Sequence, residues 1–132
     1  MALKRLNPTE TDEHLAFMDW VAQIPIIRDH IFHIANERKT SFSMGRNLKR
    51  MGVRPGIPDF MLPVASGQYH GLFIELKRPI KYRVSQYQID WIIKLRQNGY
   101  AAIVAIGCDD AIRITKQYMS GDLVLPDIDT IK

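Results

Sequence analysis

The chain alternates stretches of helical periodicity with short apolar runs. Leu15, Met18 and Val21 fall at helical spacing, and Phe17 and Trp20 broaden that face. Thr9 or Thr11 can cap this first helix, which is predicted to run to about Gln23 before Pro25 ends it. Ile31-Phe32-His33-Ile34 reads as a short strand. The polar, basic segment from Asn36 to Arg50 reads as a loop entering a short helix near Arg46–Met51. Gly52, Pro55, Gly56 and Pro58 then mark a constrained connection. Pro58 biases Ile57 towards an extended backbone, so Asp59 opens the next strand, Asp59–Leu62.

Ser66-Gly67-Gln68 is a turn signal, and Gly71–Lys77 is a second strand that can pair with the first as a hairpin. Ser85 and Gln88 have the spacing of a capping box, opening a helix to about Asn98 with Gly99 as its stop. Tyr87, Trp91 and Leu95 lie four apart and are expected in the core. Ala101–Ile106 is continuously apolar, as in a strand covered on both faces. Asp109 can cap a last helix to about Met119. The predicted order is α-β-α-β-β-α-β-α, an α/β fold with a mixed sheet flanked by helices. One domain is expected over residues 1–132, with a core over about 9–119 and a tail from 120.

Composition narrows the class. The hydrophobic fraction of 46% with 24% charged residues fits a globular protein and argues against disorder. No window approaches the roughly 20 apolar residues of a membrane helix. The N-terminal Met1–Pro8 lacks a signal-like apolar stretch. The single cysteine, Cys108, excludes an internal disulfide and reads as a small buried residue without a paired base. A cytoplasmic protein without a membrane partner is expected. The formal charge of +4 suits a polyanionic partner only where the positive charge clusters.

It does cluster. Arg38, Lys39, Arg46, Lys49, Arg50 and Arg54 lie together without an acid among them, immediately before Asp59. Arg78, Lys81 and Arg83 follow the second strand of the hairpin. Flanking the same two strands, they are expected to contact the phosphates of DNA. Few aromatics interleave with them, which argues against a base-stacking platform.

The hairpin carries the candidate chemistry. In Ile74-Glu75-Leu76-Lys77, Glu75 and Lys77 project from one face because strand side chains alternate. Asp59 on the partner strand would bring a second carboxylate beside them at a sheet edge. Two carboxylates and a backbone carbonyl, that of Leu76, are the hard oxygen donors that Mg²⁺ or Mn²⁺ takes. Lys77 would orient water or stabilise charge on a phosphate. A Glu-x-Lys alone is common in surface strands. A Pro-Asp sixteen residues upstream makes the pair more specific.

The wider text is more specific still. Met51-Gly52-Val53-Arg54-Pro55-Gly56-Ile57-Pro58-Asp59, then Gly67–Arg78, then Ser85-x-x-Gln88 and Gly99-Tyr100, resembles the VRR-NUC domain of the PD-(D/E)XK nuclease superfamily. The resemblance implies a restriction-endonuclease-like core and a Mg²⁺- or Mn²⁺-dependent DNA endonuclease with Asp59, Glu75 and Lys77 as its catalytic set. It also implies an acidic residue from the first helix in the metal site, with Glu10 the best match and Glu13 a rival one turn on. Glu37 matches a further family position and is the other candidate, with Glu10, to complete the metal shell. A glutamine on the helix after the Glu-x-Lys strand is expected to face the site, and Gln86 and Gln88 both qualify. Small standalone members, from phages and bacteria, resemble Holliday-junction resolvases in DNA repair and imply a homodimer acting on branched DNA.

The rival readings are a flap, single-strand or nicking nuclease, and a non-catalytic nucleic-acid-binding module. His30, His33 and His70 show no zinc-ligand spacing and are expected to be structural. The Leu123-Val124-Leu125 run is expected to dock on its own domain.

Overall fold

A computed structural model describes residues 7–35 and 42–131. Its elements in order are α1 (Glu10–Val21), α2 (Pro25–Arg28), β1 (Phe32–His33), α3 (Phe42–Arg50), β2 (Phe60–Leu62), β3 (Leu72–Lys77), α4 (Gln86–Gln97), β4 (Ala101–Ile106) and α5 (Cys108–Met119). A 3₁₀ turn over Ile128–Thr130 closes the described tail. The short α2 has no counterpart in the periodicity. Glu37, Arg38 and Lys39 lie outside the described residues.

The sheet order is β1-β2-β3-β4. β1–β2 and β2–β3 are antiparallel, and β3–β4 is parallel, making the sheet mixed. α4 carries the chain from β3 across to its parallel neighbour, as such a pair requires. α1 and α5 pack on one face, where Phe17, Phe60, Leu72, Ile74, Leu76, Ile103, Ile114 and Tyr118 form the larger core. α4 packs on the other, over Phe73, Ile92 and Ala102. Leu123 is buried against the larger core, so the tail docks back on it as expected. Among the described residues no helix is long and apolar enough to cross a membrane.

Two capping boxes set the helix starts. Thr9 with Asp12 closes α1, and Ser85 with Gln88 closes α4. Other expectations need correction. Leu15 and Met18 are exposed, at 61% and 36%, and the buried stripe of α1 is Glu13, Phe17 and Val21. Phe17 and Val21 are buried as expected, but the stripe starts with a carboxylate, so hydrophobicity alone placed the centre of the face too far towards Leu15 and Met18. On α4 the buried residues are Gln88, Ile89 and Ile92, while Tyr87 is exposed and Trp91 half-buried under the Lys94 ammonium. Asp109 does not cap α5, which starts at Cys108 after Gly107 without a side-chain cap from its own N-cap residue. The hairpin also lies inside the sheet, since β3 has β2 and β4 as neighbours. The candidate chemistry therefore sits at strand ends and not along a sheet edge.

Candidate active site

The register explains why Asp59 stands where it does. Phe60 pairs with Ile74, so one step further Asp59 lies opposite Glu75, and Pro58 opposite Leu76. Opposite residues in an antiparallel pair share a face. At the Leu76 rung a residue on β2 would normally donate its N–H, but proline has none. The ladder opens there, and the Asp59 side chain takes over. Leu76 N–H donates to Asp59 Oδ2 at 2.8 Å. N–H and C=O of one strand residue point the same way, so the Leu76 carbonyl faces this opened rung as well.

The main chain of Asp59 is held from the other side. Its carbonyl accepts from Ile34 N–H at 2.6 Å and from His33 Nδ1 at 2.8 Å. A carbonyl only accepts, so His33 Nδ1 carries the proton. His14 Nε2 lies 3.6 Å from Asp59 Oδ2, a contact longer than a hydrogen bond. The rings of His14, His33 and Phe60 pack together with centroids 5.0–5.3 Å apart. Oδ1 of Asp59 enters none of these contacts.

Glu75, Lys77 and Gln88 are all buried, at 2%, 3% and 4% exposure. Lys77 Nζ lies 3.6 Å from Glu75 Oε1 and 4.0 Å from Glu10 Oε1. Charges this deep persist only when paired and hydrogen-bonded. Gln88 Nε2 donates to Glu75 Oε1 at 2.8 Å. The same amide accepts from Ser85 N–H through Oε1 at 2.9 Å, so one side chain caps α4 and orients the β3 glutamate. Gly56, at φ 83°, presses against the α4 backbone at Tyr87, where a Cβ would overlap main-chain atoms. That close approach fixes the Pro58-Asp59 turn relative to Gln88.

Two sequence alternatives thus separate in space. Gln88 reaches Glu75, whereas Gln86 is exposed and pairs with Asp90. Glu10 stands beside Lys77, whereas Glu13 Oε2 accepts from Cys108 N–H at 2.8 Å. Glu13 so serves the N-terminus of α5, where a carboxylate satisfies an orphan donor and meets the positive end of the helix dipole. Arg46, Lys49 and Arg50 are exposed on α3, and Arg54 is exposed in the following loop. Arg78, Lys81, Tyr82 and Arg83 line an open depression with Thr9, Glu10 and Lys77. The periodicity gave no reason to single out His14. Its place one turn after Glu10 on the same helix face was the available signal.

The VRR-NUC domain model matches residues 12–108. The chain belongs to the VRR-NUC domain family, a family of nucleases. A solved structure, a "VRR_NUC domain protein", is similar at 33% identity and a TM-score of 0.75, covering 89% of this chain and 93% of that one. No curated protein matches. The matched VRR-NUC span takes in Asp59, Glu75, Leu76, Lys77 and Gln88, and Glu10 lies just before it.

For a nuclease of this family the donor set can be tested against a divalent ion. Among the described residues no three His, Cys, Asp or Glu side chains gather into a self-sufficient metal cluster. A hard cation that keeps water and takes substrate oxygens needs only one or two carboxylates. Asp59, Glu75 and the Leu76 carbonyl at the opened rung fit that requirement.

Proposed function

We propose that this VRR-NUC domain is a Mg²⁺- or Mn²⁺-dependent endonuclease that hydrolyses DNA phosphodiesters. The observation that carries the reading is Asp59 directly opposite Glu75, next to the rung Pro58 opens, with Lys77 buried beside Glu75. A pure binding module has no use for two carboxylates facing a phosphate. Asp59, Glu75 and the Leu76 carbonyl would hold the ion, with Glu10 as the additional acidic group; bound there, it would neutralise phosphate charge and acidify a water.

The remaining work falls to the chain itself. Asp59 is clamped by β1 and β3, so its side chain needs little reorganisation. Gln88 fixes the Glu75 carboxylate by its Nε2 donor. Lys77 places a fixed positive charge where the phosphate oxygens gain charge in the transition state. The exposed arginines and lysines of α3 and of the segment after β3 bind the flanking backbone through a salt-sensitive contact. Branched DNA is the preferred substrate, and a homodimer would present two equivalent sites to a four-way junction.

The test is cleavage of a four-way junction and of linear duplex of the same sequence, with and without Mg²⁺ or Mn²⁺. Asp59→Asn keeps an oxygen for Leu76 N–H but removes the charge. It is expected to abolish cleavage with an unchanged circular dichroism spectrum and melting temperature. Full activity in that variant, or cleavage indifferent to chelator, would overturn the reading.

A further inference from the structure

We infer that Tyr82 is a stacking site for an unpaired base of the nucleic acid held at this centre, so that the preferred substrate carries a single-stranded nucleotide beside the cut. The inference rests on the nuclease reading and deepens it. Tyr82 is 48% exposed and lines the same depression as Glu10, Lys77, Arg78, Lys81 and Arg83. Among the described residues it makes no ring contact and no hydrogen bond. Tyr69, Tyr100 and Tyr118 all pack against other rings. Tyr82 is thus an aromatic surface that folding leaves unused, set among four cations.

The backbone supplies an independent observation. Lys81 has φ 55°, the single non-glycine residue with positive φ among those described. Its strained left-handed conformation immediately precedes Tyr82, and such strain tends to persist where a binding surface requires it. The scarcity of aromatics among the clustered cations argued against a base-stacking platform. The depression reverses that argument locally, because it groups one open ring with the cations next to Lys77.

The combination has a chemical meaning. Cations that follow a backbone together with an exposed aromatic face are how proteins hold single strands, since every base offers a π-face. A paired base offers none, because both its faces are covered within the duplex stack. Ring and phosphate contacts can therefore be made together only where a strand is unpaired: at a junction centre, a flap or a frayed end.

The test uses the full chain carrying Asp59→Asn, so that binding is read without cleavage. The DNA probe is a duplex with a single-stranded arm bearing 2-aminopurine at successive positions from the branch. Stacking on Tyr82 is expected to change the probe's fluorescence at one position, to lose that change with Tyr82→Ala and to regain it with Tyr82→Phe. In the otherwise unaltered enzyme, the ratio of kcat/KM on the armed substrate to that on plain duplex is expected to fall roughly tenfold with Tyr82→Ala and to recover with Tyr82→Phe. A fluorescence change that survives Tyr82→Ala, or an unchanged ratio, would overturn the inference. Absence of any cleavage by the unaltered protein would instead overturn the nuclease reading, and the fluorescence measurement would still decide on Tyr82.

Discussion

Among the described residues two glutamates are buried, on opposite sides of the sheet, and they have different partners. Glu13 of α1 is 6% exposed and holds the first N–H of α5. Glu75 of β3 is 2% exposed and shares its carboxylate with the Lys77 ammonium and the Gln88 amide. Burial is equally costly for both. Glu13 is matched to a fixed backbone donor and a helix dipole, which joins two helices and makes it part of the frame. Glu75 is matched to two side-chain donors; in the proposed nuclease a phosphate would share those donors and a cation would share the carboxylate. The difference teaches that a buried carboxylate identifies chemistry only through its partners.

The largest expected effect comes from Lys77→Met. It should abolish cleavage and cost roughly 3–5 kcal/mol in urea melts, because Glu75 loses the ammonium that offsets its burial. The double variant Glu75→Gln with Lys77→Met should regain most of that stability and none of the activity. If the single variant is as stable as the parent, Glu75 and Lys77 are not a balanced buried pair.

Glu13→Ala sharpens the contrast from the other side. It should cost about 1–3 kcal/mol by leaving the Cys108 N–H without its acceptor, while kcat at a temperature well below melting stays near that of the parent. Loss of kcat without loss of stability would place Glu13 in the site and break the comparison. Next, Gln88→Ala should weaken Mn²⁺ binding in calorimetry by roughly 10- to 100-fold, the usual effect of removing a group that orients a ligand. Ser85→Ala should leave that affinity closer to the parent's, since it removes the cap and keeps the amide.

The smallest effect is expected at His33. His33→Phe keeps the ring against Phe60 and His14 but drops the donor to the Asp59 carbonyl. His33→Asn keeps a donor at the Nδ1 position and drops the ring. A role in positioning Asp59 predicts weaker Mn²⁺ binding, by about tenfold or less, in the Phe variant and recovery in the Asn variant. The reverse order would assign His33 to ring packing alone.

Much of this arrangement was legible because it is local. Pro58 before Asp59, the Glu75-x-Lys77 alternation and the Ser85–Gln88 box depend on neighbours within a few residues, so spacing alone specifies them. The continuous apolar run Ala101–Ile106 likewise announced a strand covered on both faces, and β4 is that strand. The errors share a cause. Leu15, Met18 and Tyr87 are apolar yet exposed, because hydrophobicity does not reveal which face a neighbouring element covers. Asp109 looked like a cap, but α5 takes its acceptor from Glu13, 95 residues away in the chain.

The sequence by itself determined the longer elements, the approach of Asp59 to Glu75 with Lys77 on the same strand face, and the family, since each follows from backbone periodicity or contiguous text; the short α2 had no such signal. Only the tertiary structure distinguished Glu10 from Glu13 and Gln88 from Gln86. Both members of each pair lie on the same helix within one turn. Which one meets Lys77 or Glu75 depends on how that helix is rotated against the sheet. Packing sets that rotation: Phe17 and Val21 under α1, and Ile89 and Ile92 under α4.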